Sequence, residues 1–99
     1  MKITEVKIYV ARNSGKLKAY VAIVIDNALI LRDLKVIEGQ NGLFISMPSR
    51  RLQDGKFKDI AHPLNHETRE LIEKAVLEAY HHELEHGGGD SHYSSNDLD

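Results

Sequence analysis

The sequence predicts an α+β domain: a small antiparallel β-sheet with one C-terminal helix packed on it, dimerising through the sheet. Three observations carry this expectation. Residues 3–47 contain four apolar runs separated by Gly, Asn and Asp turn chemistry. Residues 66–85 hold one long stretch of three- and four-residue apolar spacing. A chain of 99 residues buries only about 60–65% of the surface its unfolded form exposes, so a sheet apolar on both faces calls for a partner.

Along the chain, residues 3–10 alternate, with Val6, Ile8 and Val10 on one face and Glu5, Lys7 and Tyr9 on the other. Arg12 to Lys16 is turn chemistry, with Gly15 free to take positive φ. Residues 17–25 place Leu17, Ala19, Val21, Ile23 and Ile25 on one side and Tyr20, Ala22 and Val24 on the other. Asp26-Asn27 turns the chain into a third strand, 28–38, again apolar on both faces. The polar pair Arg32-Asp33 in its middle predicts a bulge or bend. Gly39 to Gly42 turns into a fourth strand, Leu43 to Met47, which Pro48 ends by removing a ladder donor.

Ser49 to Lys56 reads as a polar loop with a tight turn at Asp54-Gly55, and Phe57 to Ala61 as a short returning strand. Pro63 biases His62 away from helix, and Asn65 is placed to cap the helix that follows. In that helix Thr68, Leu71, Ile72, Ala75, Val76, Ala79 and Tyr80 form one apolar stripe, and Glu70 and Lys74 are spaced for an i,i+4 pair. Gly87-Gly88-Gly89 ends it. The expected organisation is one domain over residues 1–86 and a disordered tail over 87–99, where only Tyr93 and Leu98 are large and apolar.

Composition narrows the function. The chain has no cysteine, which excludes disulfides, thiolate nucleophiles and cysteine-zinc sites. Charges at Lys2, Glu5 and Lys7 come too early for a signal-peptide apolar region, and no apolar run reaches the roughly 18 residues of a membrane span. A cytoplasmic protein without membrane contact is expected. The net charge of -2 hides an asymmetry: residues 1–64 hold eleven Lys/Arg against six Asp/Glu, and residues 65–99 hold two against nine. A basic body with an acidic end suits polyanion binding, although solvated surface charge gives the same pattern.

His82-Glu83-Leu84-Glu85-His86 matches the H-E-x-x-H spacing of zinc hydrolases. It sits in the last helical turn, directly before three glycines, with only His92 and scattered Asp beyond it. A catalytic zinc needs a third protein ligand and a walled cavity, so no metal site, catalytic residue or cofactor is assigned. No nucleophile elbow or phosphate-loop motif occurs. His62 and His66 flank the helix start without catalytic partners. The chain reads as a non-enzyme with no small-molecule substrate.

The segment from Met47 to Lys58 is more informative, with Arg50, Arg51, Lys56 and Lys58 in nine residues and Ser49 as a further donor. Adjacent arginines suit phosphate oxygens because each guanidinium donates in a fixed fork. The plainer reading is a solvated loop.

Stretches over residues 1 to about 80 resemble the SpoVG family. They are Met1-Lys2-Ile3-Thr4-Glu5-Val6, Leu17-Lys18-Ala19, Leu34-Lys35-Val36-Ile37-Glu38-Gly39, Gly42-Leu43-Phe44-Ile45-Ser46-Met47-Pro48-Ser49-Arg50-Arg51 and Asp59-Ile60-Ala61-His62-Pro63-Leu64-Asn65. The resemblance implies a dimeric sheet-plus-helix regulator tied to septation and sporulation that binds DNA and also RNA. It also implies nucleic-acid contacts at Ser49, Arg50 and Arg51, with Lys56 and Lys58 beside them. The chain differs from the family pattern at Arg50, where Lys is frequent, and in the tail, where many relatives carry a longer acidic extension. The rival expectation is a protein-interaction module of cell division that does not touch nucleic acid.

Overall fold

A computed structural model describes residues 1–12 and 15–86. The expected disordered tail, 87–99, lies outside the described residues, as does His92. Four strands form an antiparallel meander, β1 (Ile3–Val10), β2 (Leu17–Ile25), β3 (Leu29–Gly39) and β4 (Gly42–Ser46), in spatial order β1-β2-β3-β4. Two short strands, β5 (Ser49–Arg51) and β6 (Phe57–Asp59), pair as a separate hairpin, and α1 (His66–His86) follows. The fold is the expected α+β arrangement.

The turns explain the meander. Asp26 and Asn27 adopt φ of 54° and 52°, and the Ala28 N–H donates to the Ile25 carbonyl at 2.9 Å. Two consecutive left-handed residues give a two-residue turn whose twist matches the strands it joins, and Asp and Asn tolerate that conformation best after Gly. The start of β1 holds the turn in place. The Lys2 N–H donates to Asp26 Oδ1 at 3.0 Å, and the Asn27 N–H donates to Thr4 Oγ1 at 3.0 Å.

The bulge expected at Arg32-Asp33 is present. The β2–β3 register shifts between Val21↔Leu34 and Ile23↔Leu31, so two residues of β3 oppose Ala22 alone. Asp33 takes a φ of 68° there.

One sheet face meets the helix. Ile8, Ala19, Val21, Ile23, Leu34, Val36, Ile45 and Met47 pack with Ile72, Val76 and Tyr80 in one buried cluster. The helix starts where its cap places it, with the Thr68 N–H donating to Asn65 Oδ1 at 2.7 Å. Two helix expectations need correction, at Leu71 and at Glu70. Leu71, assigned to the apolar stripe, is 41% exposed, because the helix docks on Ile72, Val76 and Tyr80 of that stripe and leaves Leu71 at its edge. Glu83 is buried. Glu70 meets His66 at 3.0 Å rather than Lys74.

Replacing Leu34 with Ala, at 0% exposure the floor of this contact, should lower unfolding free energy by about 2–5 kcal/mol. Asn65→Ala should cost only about 1 kcal/mol through the lost cap. Urea denaturation of both variants checks the ranking.

Candidate functional site

Ser49–Arg51, expected within a polar loop, is a strand, and it pairs with the returning strand expected at Phe57–Ala61 and observed at Phe57–Asp59. Ser49↔Asp59, Arg50↔Lys58 and Arg51↔Phe57 are the cross-strand pairs. Pairing continues into the connection, where the Leu52 N–H donates to the Lys56 carbonyl at 2.7 Å. Asp54 and Gly55 make the turn as expected. Gly55 takes a φ of 89°, its N–H donates to the Leu52 carbonyl at 3.0 Å, and the Lys56 N–H donates to Asp54 Oδ1 at 3.0 Å. At the base, the Ile60 N–H donates to the carbonyl of buried Pro48 at 2.7 Å, tying the hairpin to the end of β4.

Strand alternation sorts the cations. Arg50 and Lys58 lie directly opposite each other on one face, and Arg51 lies opposite Phe57 on the other. Arg50, Arg51, Lys56 and Lys58 are all exposed, and Ser49 is half-buried. Among the described residues none of the four cations forms an ion pair. Gly55 leaves room over the turn for Arg51, whose Nη2 would stand 3.9 Å from a Cβ built there. Arg50, Arg51, Leu52, Gln53 and Asp54 line an open concavity.

Like charges directly opposite on paired strands repel, and an isolated two-stranded hairpin is marginal in water. The arrangement therefore presents Arg50 and Lys58 on one face and Arg51 on the other, all exposed and without an ion pair among the described residues. It can receive anionic oxygens with bidentate geometry from the guanidiniums and single donors from the lysines.

Sequence reasoning found all five of these residues but missed their apolar border. Phe57 is 70% exposed, Ile60 66% and Leu64 89%. Their isolation among polar neighbours was the available signal.

The histidine motif does not assemble. The rings of His82 and His86 stand 4.3 Å apart between centroids, both exposed, and His86 Nδ1 lies 3.1 Å from the His82 carbonyl oxygen. Glu83, the residue that would act as base, is buried instead of facing solvent with them. No described helix is long and apolar enough to cross a membrane.

Comparison with known proteins places these features in a family. The SpoVG family model matches residues 1–82. A Bdellovibrio bacteriovorus protein is 56% identical over 88 residues, covering 89% of this chain and 81% of the relative. A Clostridium perfringens protein is 58% identical over 80 residues, covering 81% of this chain and 89% of the relative. A Caldicellulosiruptor bescii protein is 54% identical over 80 residues, covering 81% and 91%. All three carry the name "Putative septation protein SpoVG".

The turn geometry makes a local prediction. Gly55→Ala forces a side chain into left-handed backbone and should loosen the hairpin by about 1 kcal/mol or more without unfolding the sheet. Hydrogen exchange should accelerate at the Leu52 and Ile60 amides and remain slow in β2.

Proposed function

The chain belongs to the SpoVG family, and from that premise we propose that it is a septation-linked regulator that holds the phosphates of DNA or RNA on the β5–β6 hairpin. The observation that carries this reading is the cross-strand placement of Arg50 against Lys58, with Arg51 and Lys56 on the same hairpin and, among the described residues, no acidic partner for any of the four. A polyanion supplies the missing counter-charge. Contacts of this kind give affinity and salt dependence and little sequence information. Ser49 adds a hydroxyl donor at the hairpin base. The proposed setting is the cytoplasm.

A second reading, a protein-interaction module of cell division, is favoured by the exposure of Phe57, Ile60 and Leu64, in β6 and the segment after it. Exposed large apolar side chains suit a protein partner. Salt dependence separates the two. Each phosphate neutralised on a duplex contributes roughly 0.9 to the slope of log affinity against log salt. Arg50→Ala with Arg51→Ala should flatten that slope by about two units per subunit, with the circular dichroism spectrum unchanged. Wild-type affinity and slope in the double variant would leave the hairpin to the protein-interaction reading.

The regulator is proposed to act as a homodimer joined through the sheet. The structure narrows the surface available. Ala22 and Val24, on the face away from α1, are already 5% and 2% exposed, whereas Tyr20 and Phe44 remain 47% and 46% exposed. Tyr20 and the Ile37–Phe44 pair lie in neighbouring cross-strand rows at one end of that face. Light scattering at micromolar concentration should give twice the 11.2 kDa chain mass, and Phe44→Asp should return the monomer. A wild-type monomer at all concentrations would remove the dimer.

A further inference from the structure

On the sheet face away from α1, Lys7 should point into solvent, but it is 1% exposed. Its Nζ is buried and has no hydrogen-bond partner. A buried ammonium without a counter-charge is among the costliest groups a fold can carry.

The surroundings are built by the β3 bulge. Lys7 lies opposite Ala22 on β2, and Ala22 in turn lies opposite the bulge that carries Arg32 and Asp33. Asp33 is held at a φ of 68°, a conformation that costs energy in a residue with a side chain and that clusters at ligand sites. Tyr9 and Tyr20, a direct cross-strand pair, stand beside them. Together with Val21 and Ala22, these residues line a cleft of about 270 Å³.

We propose that this cleft is an oxyanion site for a phosphate group, with Lys7 as its central cation. Two cations and one carboxylate leave the lining net positive. Arg32 adds positive charge to the lining, and the hydroxyl of Tyr20 can donate a further bond. A cleft of this size has room for a phosphate group and part of whatever carries it. Asp33 adds selectivity. Its carboxylate accepts the O–H that hydrogen phosphate carries and sulfate lacks, and it repels a fully deprotonated anion. The site is separate from the β5–β6 hairpin, shares Tyr20 with the proposed dimer surface, and stands whether or not that hairpin binds nucleic acid.

Thermal unfolding of the full chain in phosphate and in sulfate, at matched ionic strength, tests it. Sulfate controls for the general stabilisation that both salts give. Phosphate should raise Tm beyond sulfate in a saturable way. Lys7→Met, which keeps the apolar stem, should weaken phosphate binding about tenfold or more and raise Tm in its absence. Arg32→Gln should weaken it less, and serves if Lys7→Met does not fold. Arg50→Ala with Arg51→Ala should leave the phosphate response intact.

An oligonucleotide arm identifies the source of the phosphate. If Lys7→Met lowers oligonucleotide affinity and its salt slope while free phosphate has no specific effect, the cleft holds a backbone phosphodiester, which carries no O–H for Asp33, and the hydrogen-phosphate site is overturned. If only free phosphate responds, the ligand is inorganic phosphate or a small phosphomonoester. Equal shifts in phosphate and sulfate, with Lys7→Met binding oligonucleotide like wild type, would overturn the site. So would a Lys7→Met variant that changes only the oligomeric state, since Lys7 would then face a second copy.

Discussion

One helix has to dry one face of a four-stranded sheet, and the positions of the other elements follow from how it does so. Ile72, Val76 and Tyr80 supply the helical side of that contact, and Ile8, Val21, Leu34 and Val36 the floor. In a chain this short there is no second apolar layer to share the work. The meander must therefore keep its register, because a one-residue slip would turn the floor outward. The left-handed pair Asp26-Asn27, tied to Lys2 and Thr4, pins the β2–β3 register at one end. The Lys18–Glu38 ion pair at 3.3 Å and the Glu38 N–H donating to the Lys16 carbonyl at 2.9 Å brace the other end.

The same contact explains where the basic hairpin stands. β4 ends at Ser46, Met47 enters the core, and α1 begins only at His66. The intervening residues contribute nothing to the buried core cluster. They form their own two-stranded ladder, anchored by buried Pro48 at the base and by the cap at Asn65 beyond. A ladder that contributes little to the core is free to carry cations in opposition, an arrangement that costs stability and becomes favourable when an anion arrives. The acidic excess of the chain falls after residue 64, which leaves residues 49–59 net positive, with four cations against Asp54 and Asp59.

Local chemistry was legible in the sequence. Asn65 as cap, Asp26-Asn27 as turn, Asp54-Gly55 as turn and Arg32-Asp33 as bulge each depend on a few neighbouring residues, and each is where the sequence pointed. Features that depend on partners distant in sequence were not legible. Ser49–Arg51 has no alternation of its own and becomes a strand only because Phe57–Asp59 returns beside it. Lys7 alternates like a solvent-facing residue, and its burial arises from small Ala22 opposite and the bulge beyond. The exposure of Leu71 and the burial of Glu83 reflect the rotation at which α1 docks, which three- and four-residue spacing does not determine. The candidate site residues themselves were readable from charge density, and their pairing was not.

Backbone amide NMR during titration with a short oligonucleotide tests the central claim most directly, because it reports the contact surface residue by residue without any substitution. Shift changes concentrated at residues 49–59 and fading as salt rises are the predicted result. Changes confined to the exposed helix face, or to the β1–β2 hairpin around Lys16 and Lys18, with residues 49–59 silent, would contradict the account.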